Sequence, residues 1–279
     1  MLINSELPLC MLNENNALNE YDFVLFHLYD SNEDYREYFR NQRSVNPNRL
    51  MIFDNSAYEY FIKGEKLDLM KFYRTVYRLK PDFYITPDVL MDKQKTLELT
   101  SEFISSYGEG INIMTNGQSK PLSVIQGNSV DDFLDIINCY KDMGIRNIAI
   151  PFHNSFYKEL GLYSNDDIQN EFIDAYKQPV TEDMLYAMGR IQFVKNYEEY
   201  LKDFDHIHFL GSHCPLEKMF YKNYQTMDTG YPVKLAIAGD KLFEEESKPN
   251  IIIDEFLEKE LDNKTKELIK DNIKKFKVI

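Results

Sequence analysis

Short apolar runs recur along this chain, with longer amphipathic stretches between them. The runs are Leu7–Leu12 (LPLCML), Phe23–Leu28 (FVLFHL), Leu50–Asp54 (LMIFD), Phe83–Asp88 (FYITPD), Leu122–Gln126 (LSVIQ), Asn147–Phe152 (NIAIPF), His206–Gly211 (HIHFLG) and Gln225–Gly230 (QTMDTG). Continuous apolar runs of this length suit strands buried on both faces, as in a parallel sheet. Between them, Asp34–Arg43, Leu67–Leu79, Asp92–Tyr107, Val130–Met143 and Met184–Asp203 carry apolar residues at helical spacing. Ser129 is placed to cap the helix that starts at Val130, and Gly144 to stop it. Leu122–Phe152 therefore predicts a βαβ unit. Strands alternating with helices over the whole chain predict an α/β fold with a parallel sheet. Eight candidate strands favour a single-domain (β/α)8 TIM-type barrel over residues 1–240, with 241–279 as a C-terminal helical extension packed on it.

Composition narrows the function classes. The 279 residues are ample for one such domain. No stretch approaches the ~18 uninterrupted apolar residues of a membrane span, and Met1 to Glu20 lacks a basic flank followed by an apolar run. No membrane partner and no signal peptide are expected, and a cytoplasmic location is. Cys10, Cys139 and Cys214 are too scattered for a disulfide framework. The net charge of −14 is the wrong sign for a broad basic nucleic-acid face, though a local basic groove remains compatible with it. The lysine-rich tail, Glu255 to Ile279, reads as a solvated helix with one apolar face.

Candidate chemistry gathers at the strand ends, where barrels of this kind carry their active sites. The third strand ends in Asp54-Asn55-Ser56, the fourth in Pro87-Asp88, the fifth in Gln126-Gly127, the seventh in Gly211-Ser212-His213, and the eighth carries Asp228-Thr229-Gly230. Each alone could be a turn or a helix cap. Several carboxylates at one rim cannot titrate alike, so one can be a free nucleophile while another holds a proton. Carboxylate and amide groups together suit the edge of a guanine-like base, with carboxylate attack at an anomeric carbon. His153 and His213 follow strands and could reach such a site. His206, His208, His213 and Cys214 cluster in sequence but match no common zinc spacing, so no metal is expected. There is no glycine-rich phosphate loop, Gly108-Glu109-Gly110 reading only as a loop, and no cofactor is expected.

These motifs, in this order, resemble the tRNA-guanine transglycosylase superfamily: the queuine and archaeosine tRNA-ribosyltransferases and their DNA-modifying relatives. Asp54-Asn55-Ser56-Ala57-Tyr58-Glu59 is similar to the family's Asp-Ser-Gly-Gly-Phe-Gln, and Asp82–Asp88 to its Asp-Ile-Val-Met-x-x-Asp strand. Val124-Ile125-Gln126-Gly127 matches Val-Gln-Gly. Phe209–Pro215 looks like Leu-Met-Gly-Val-Gly-x-Pro, and Met227–Pro232 resembles Phe-Asp-Cys-Val-Leu-Pro. The resemblance spans about Leu7 to Lys234. It implies Asp228 as the nucleophile that binds sugar C1′ and Asp54 as the acid/base group. It implies base contacts from Asp88, Gln126 and Gly127, from backbone near Ile150 and Pro151, and from Gly211, Ser212 and His213. The reaction implied is exchange of guanine for a 7-deazaguanine base of the preQ0 type, without ATP.

The departures shift the expected polymer. Paired glycines after the first Asp are replaced by Ser56-Ala57, and a Gly-Gly-Leu by Ile150-Pro151-Phe152. No cysteine follows Cys214, so the family's C-terminal zinc site, part of its tRNA platform, is missing. This favours DNA over tRNA and the compact relatives encoded by phages, acting on single-stranded or flipped nucleotides. The chain would then work in the host cytoplasm, and a homodimer or a partner subunit is compatible with it. The alternatives are a tRNA-guanine transglycosylase, a barrel processing a small nucleoside or glycoside, and a catalytically inactive binding barrel.

Overall fold

The computed structural model describes residues 1–152, 155–176, 180–243 and 257–278, so His153 lies outside the described residues. Eight parallel strands form one sheet: β1 (Leu2–Ser5), β2 (Asp22–Leu25), β3 (Met51–Asp54), β4 (Phe83–Ile85), β5 (Lys120–Val124), β6 (Asn147–Ile150), β7 (His206–Phe209) and β8 (Thr226–Thr229). Their order is β1-β8-β7-β6-β5-β4-β3-β2, with helices between successive strands, which is the (β/α)8 TIM-type fold. No helix among the described residues is long and apolar enough to cross a membrane.

Local chemistry accounts for the helices. Asn32, Asp68, Asp92 and Ser129 each accept a hydrogen bond from the backbone N–H three residues on, capping helices Glu33–Val45, Leu69–Leu79, Lys93–Phe103 and Val130–Asp142. Val130–Asp142 buries Phe133, Ile136, Ile137 and Tyr140, one helical face. It is followed by Gly144 at φ 73, a left-handed stop that glycine adopts without strain.

The first expected strand is a correction. Leu7–Leu12 is not extended: Leu9–Glu14 forms a 3-10 helix behind Pro8, and the strand is the more polar Leu2–Ser5. β1 pairs with β8 in the register Ile3↔Met227 and Asn4↔Asp228. The Asn19 side chain supports it, accepting from Ser5 N–H at 2.7 Å and donating to the Ser5 carbonyl at 2.8 Å. Two smaller differences follow the same logic of local bonding. Phe26 begins a helix, Phe26–Ser31, straight after β2. Gly108-Glu109-Gly110 is helical, because the Lys93–Phe103 helix runs on through a wider π turn at Ile104–Gly108 into Glu109–Thr115.

Two compact units are distinguishable. One comprises Tyr21–Ala149 with Phe204–His206 and contains β2 to β5 and most of β6. Its core is aromatic: Phe53 stacks on Phe72 with ring centres 5.4 Å apart, and Phe26 meets Phe72 edge-on at 5.2 Å. The other comprises Met1–Glu20, Ile150–Asp203 and Ile207–Ile279, with β1, β8 and most of β7. Here the helix Asn263–Val278 buries Ile269, Asn272, Ile273 and Phe276. Asn272 Nδ2 donates to the Pro232 and Asp240 carbonyls at 3.3 and 3.0 Å.

In this second unit, helices Ser155–Leu162 and Glu182–Asn196 approach backbone to backbone through two glycines. A Cβ on Gly161 would sit 2.1 Å from the Leu185 carbonyl oxygen, and one on Gly189 1.8 Å from that of Tyr157. Gly189→Ala should therefore destabilise the fold by about 1–3 kcal/mol, the usual cost of overpacking. Gly108→Ala, whose Cβ meets only the Ile104 side chain at 3.4 Å, should be neutral or stabilising through helix propensity. Urea unfolding of both variants checks this, and a Gly189→Ala protein as stable as the parent would contradict the packing described.

Candidate active site

In the unit that carries β3, β4 and β5, three strand ends are tied together by side chains. Asp54 closes β3, and its Oδ2 accepts from the Ser56 N–H at 2.7 Å. Asn55 Oδ1 accepts from the Ala57 N–H at 2.7 Å, so two Asx turns overlap. Between them Ser56 is left-handed, φ 59, where a non-glycine residue is strained. Ser56 thus holds a backbone conformation that glycine adopts without strain. The hydroxyl offsets part of that strain: Ser56 Oγ accepts from the His27 N–H at 3.2 Å and meets His27 Nδ1 at 2.9 Å.

Asp88, beyond β4, is oriented from both sides. Asn55 Nδ2 donates to Asp88 Oδ1 at 2.7 Å, and Gln126 Nε2 donates to Oδ2 at 2.8 Å. Each amide is itself held. Asn55 Nδ2 also donates to the Thr86 carbonyl at 2.7 Å, and Gln126 Oε1 accepts from the Met91 N–H at 3.0 Å. Burial lifts the Asp88 carboxyl above its ordinary range, against the lowering pull of the two amides. Gly127 allows close approach of the next helix, since a Cβ there would lie 2.4 Å from the Asp132 Cβ.

In the other unit the centre is Asp228 on β8, only 3% exposed. Its Oδ1 accepts from the Gly211 N–H at 3.0 Å, an N–H aimed by a left-handed turn at φ 53. His208 Nε2 lies 3.0 Å from the same oxygen. Burial, then the Arg190 charge, pushes His208 down to about 3, so the ring beside Asp228 is neutral at physiological pH. Glu6, the residue after β1, hydrogen-bonds Asp228. Burial and then the Asp228 charge raise the Glu6 carboxyl. Burial raises Asp228 too, while the Gly211 N–H and Glu6 pull it back. Two buried carboxyls that both lie above the ordinary range and act on one another hold a proton to higher pH than free carboxyls do.

Behind this strand end lies an ionic cluster that the sequence did not announce. Arg190 and Glu217 are fully buried and bidentate, Nε to Oε1 at 2.8 Å and Nη2 to Oε2 at 2.7 Å. Arg190 also donates to the carbonyls of Ile150, Leu210 and Gly211 at 3.3, 2.9 and 3.0 Å, and lies 4.8 Å over the Phe152 ring. Ser212 Oγ and Tyr221 Oη complete the Glu217 shell at 2.5 and 3.2 Å.

The expected residues are therefore distributed as follows. Asp88 and Gln126 are brought together, with Asn55, a strand-end residue assigned no role of its own from the sequence, as third member. Asp228 is joined to Gly211. The Ser212 hydroxyl goes to Glu217, and the His213 ring lies 4.8 Å from that of Phe152 and 5.8 Å from that of Tyr231. The Ile150 carbonyl takes the Leu210 N–H at 3.0 Å, with Pro151 buried next to it. Glu6 was missed because the strand it ends was misread, although an acidic residue beside an apolar run was the available signal. The chain matches no family model and no curated protein.

Proposed function

We propose that this chain is a base-exchange transglycosylase that replaces guanine in DNA with a 7-deazaguanine base. The observation that supports this reading best is the Asn55–Asp88–Gln126 set. It joins side chains from the ends of three successive strands into one hydrogen-bonded edge. A carboxylate held in one orientation pairs with the adjacent ring N–H and amino group of a guanine, and the neighbouring amide matches the carbonyl beside them. Asp228 supplies the second requirement, a buried carboxylate whose oxygen accepts the Gly211 N–H and which is coupled to Glu6.

In this mechanism an Asp228 oxygen attacks C1′ and the bond from C1′ to the guanine nitrogen breaks. The electron pair leaves with the base, which takes a proton from Asp54. Asp54 then removes the ring proton of the incoming 7-deazaguanine, whose nitrogen attacks C1′ and releases Asp228. One glycosidic bond replaces another, so no nucleotide triphosphate is consumed.

The test is incorporation of labelled guanine or preQ0-type base into single-stranded DNA, duplex DNA and tRNA by the full chain. Label in DNA above tRNA is expected. Label in neither polymer, with the protein folded, overturns the proposal. Label in tRNA alone overturns the choice of polymer.

A further inference from the structure

The chain carries a net charge of −14, yet five of the eight residues that line one cleft are cations. It has a volume of about 410 Å³ and is bounded by Tyr29, Asp30, Arg36, Arg40, Lys71, Arg74, Thr75 and Arg78. Arg36 and Arg40 come from the helix Glu33–Val45, and Lys71, Arg74 and Arg78 from Leu69–Leu79. At the far end a second hollow of about 570 Å³ shares Arg40 and Arg78 and adds Arg43 and Lys80. The upper end begins at Tyr29 and Asp30, in the short helix that leaves the C-terminal end of β2.

The charges are largely uncompensated. Asp30, the one carboxylate in the lining, is taken by Lys71 at 2.5 Å, and Arg43 is neutralised by Asp82 at 3.0 Å. Among the described residues no carboxylate pairs with Arg36, Arg40, Arg74 or Arg78. Arg36 is fixed by neutral acceptors, Nε to the Tyr29 carbonyl at 2.8 Å and Nη2 to the Asp30 carbonyl at 2.7 Å. Arg40 Nε donates to Tyr29 Oη at 3.1 Å, and Arg78 lies 5.8 Å over the Tyr77 ring. Four guanidinium groups around one hollow repel one another, and an acidic protein has ample carboxylates to neutralise them. An arrangement that gathers them around one hollow, with Arg36 and Arg40 anchored by neutral acceptors, is suited to receive anionic oxygens.

We infer that this cleft binds the phosphodiester backbone of the nucleic-acid substrate. The identification of the anion as nucleic acid rests on the base-exchange reading, whereas the anion site itself rests on the cleft. The form of the cleft favours a polymer over a single phosphate. From Lys71 to Arg78 the cationic stripe runs roughly 10 Å along its helix. A duplex strand advances one phosphate per ~3.4 Å of axis, so the stripe matches about three phosphates. Only Tyr29 brings an aromatic ring to a lining that is otherwise made of charged and hydroxyl side chains, which suits phosphate oxygens better than a stacked base.

The experiment titrates the full chain, in an Asp228→Ala background, with a labelled single-stranded oligodeoxynucleotide, inorganic phosphate and a polyglutamate peptide. The test variant is Arg40→Gln/Arg74→Gln/Arg78→Gln, which keeps helix-forming side chains. The control is Lys264→Gln/Lys266→Gln/Lys274→Gln on the C-terminal helix, with the same change in net charge. Expected is salt-dependent oligonucleotide binding that weakens at least about tenfold in the test variant. Its dependence of log affinity on log salt should be about 2 units shallower, roughly 0.7 per lost phosphate. The control should bind as the parent does. Unchanged binding by the test variant, an equal loss in the control, or polyglutamate or phosphate bound as tightly as the oligonucleotide would each overturn the inference. Cleft-dependent binding, with no label exchange by the chain that retains Asp228, leaves the cleft standing and removes the base-exchange reading. Exchange into DNA that the triple arginine variant, made with Asp228 retained, performs like the unaltered chain does the reverse.

Discussion

Asp228→Ala should lower base exchange at least about a thousandfold and abolish any covalent adduct between protein and DNA, while the chain remains folded. The size of the effect follows from the proposed role: if the bond from Asp228 to C1′ is the intermediate, no other group replaces it. The fold should survive because Asp228 is raised by burial, so its carboxylate is a strained member of the structure rather than a stabilising one. The pH dependence carries a second signature. Attack needs the anion, and Asp228 sits at about 6, above the ordinary carboxylate range. Adduct formation should therefore decline as pH falls through about 6, well before a solvent-exposed aspartate would protonate. Glu6 and Asp228 also predict the sign for stability. An acid raised on folding takes up a proton when the chain folds, so stability falls as pH rises from the ordinary carboxylate range through about 8, where Glu6 has lost its proton, and levels off above that. Quenched-reaction gels across pH, read against denaturant unfolding of the same variant, check both. A trapped adduct in Asp228→Ala removes the nucleophile assignment.

The fold was largely legible because most strands from β2 to β7 lie in short apolar runs, and four of the helices between them start at a capping residue. The first strand was not legible, for a physical reason. Leu2–Ser5 is buried yet polar, Asn4 at 2% and Ser5 at 0% exposed. It is tied in by the Asn19 side chain, which sits fourteen residues from Ser5 and cannot be read from a local pattern. The apolar run Leu7–Leu12 looked more like a strand than the strand did. Among candidate site residues, Asp88 and Gln126 were legible as polar groups ending apolar runs, and their contact bears out no more than that nearness. Arg190 was not legible, because an arginine on a helix has the same sequence signature whether it meets solvent or a buried glutamate.

That buried pair gives the other large effect. Glu217→Ala should destabilise the fold by about 3–5 kcal/mol, because it leaves the Arg190 guanidinium buried without its counter-charge. Burial alone would lower the Arg190 pKa, and Glu217 more than reverses it, so the charge persists only while the carboxylate is there. The loss does not stop at the pair. Ser212 Oγ and Tyr221 Oη lose their shared acceptor, and Arg190 is free to withdraw from the Leu210 and Gly211 carbonyls. Those carbonyls belong to the turn whose Gly211 N–H holds Asp228 Oδ1, so the same substitution should loosen the candidate nucleophile. An apolar replacement of both partners, Arg190→Met/Glu217→Leu, should recover most of the stability, because no isolated charge remains. It should not recover activity, because the three carbonyls are then no longer gathered by one guanidinium. Urea unfolding of the two singles and the double closes the cycle. A Glu217→Ala cost below about 1 kcal/mol would mean that the pair is solvated, and recovery of exchange by the double variant would mean that the Gly211 turn does not depend on Arg190.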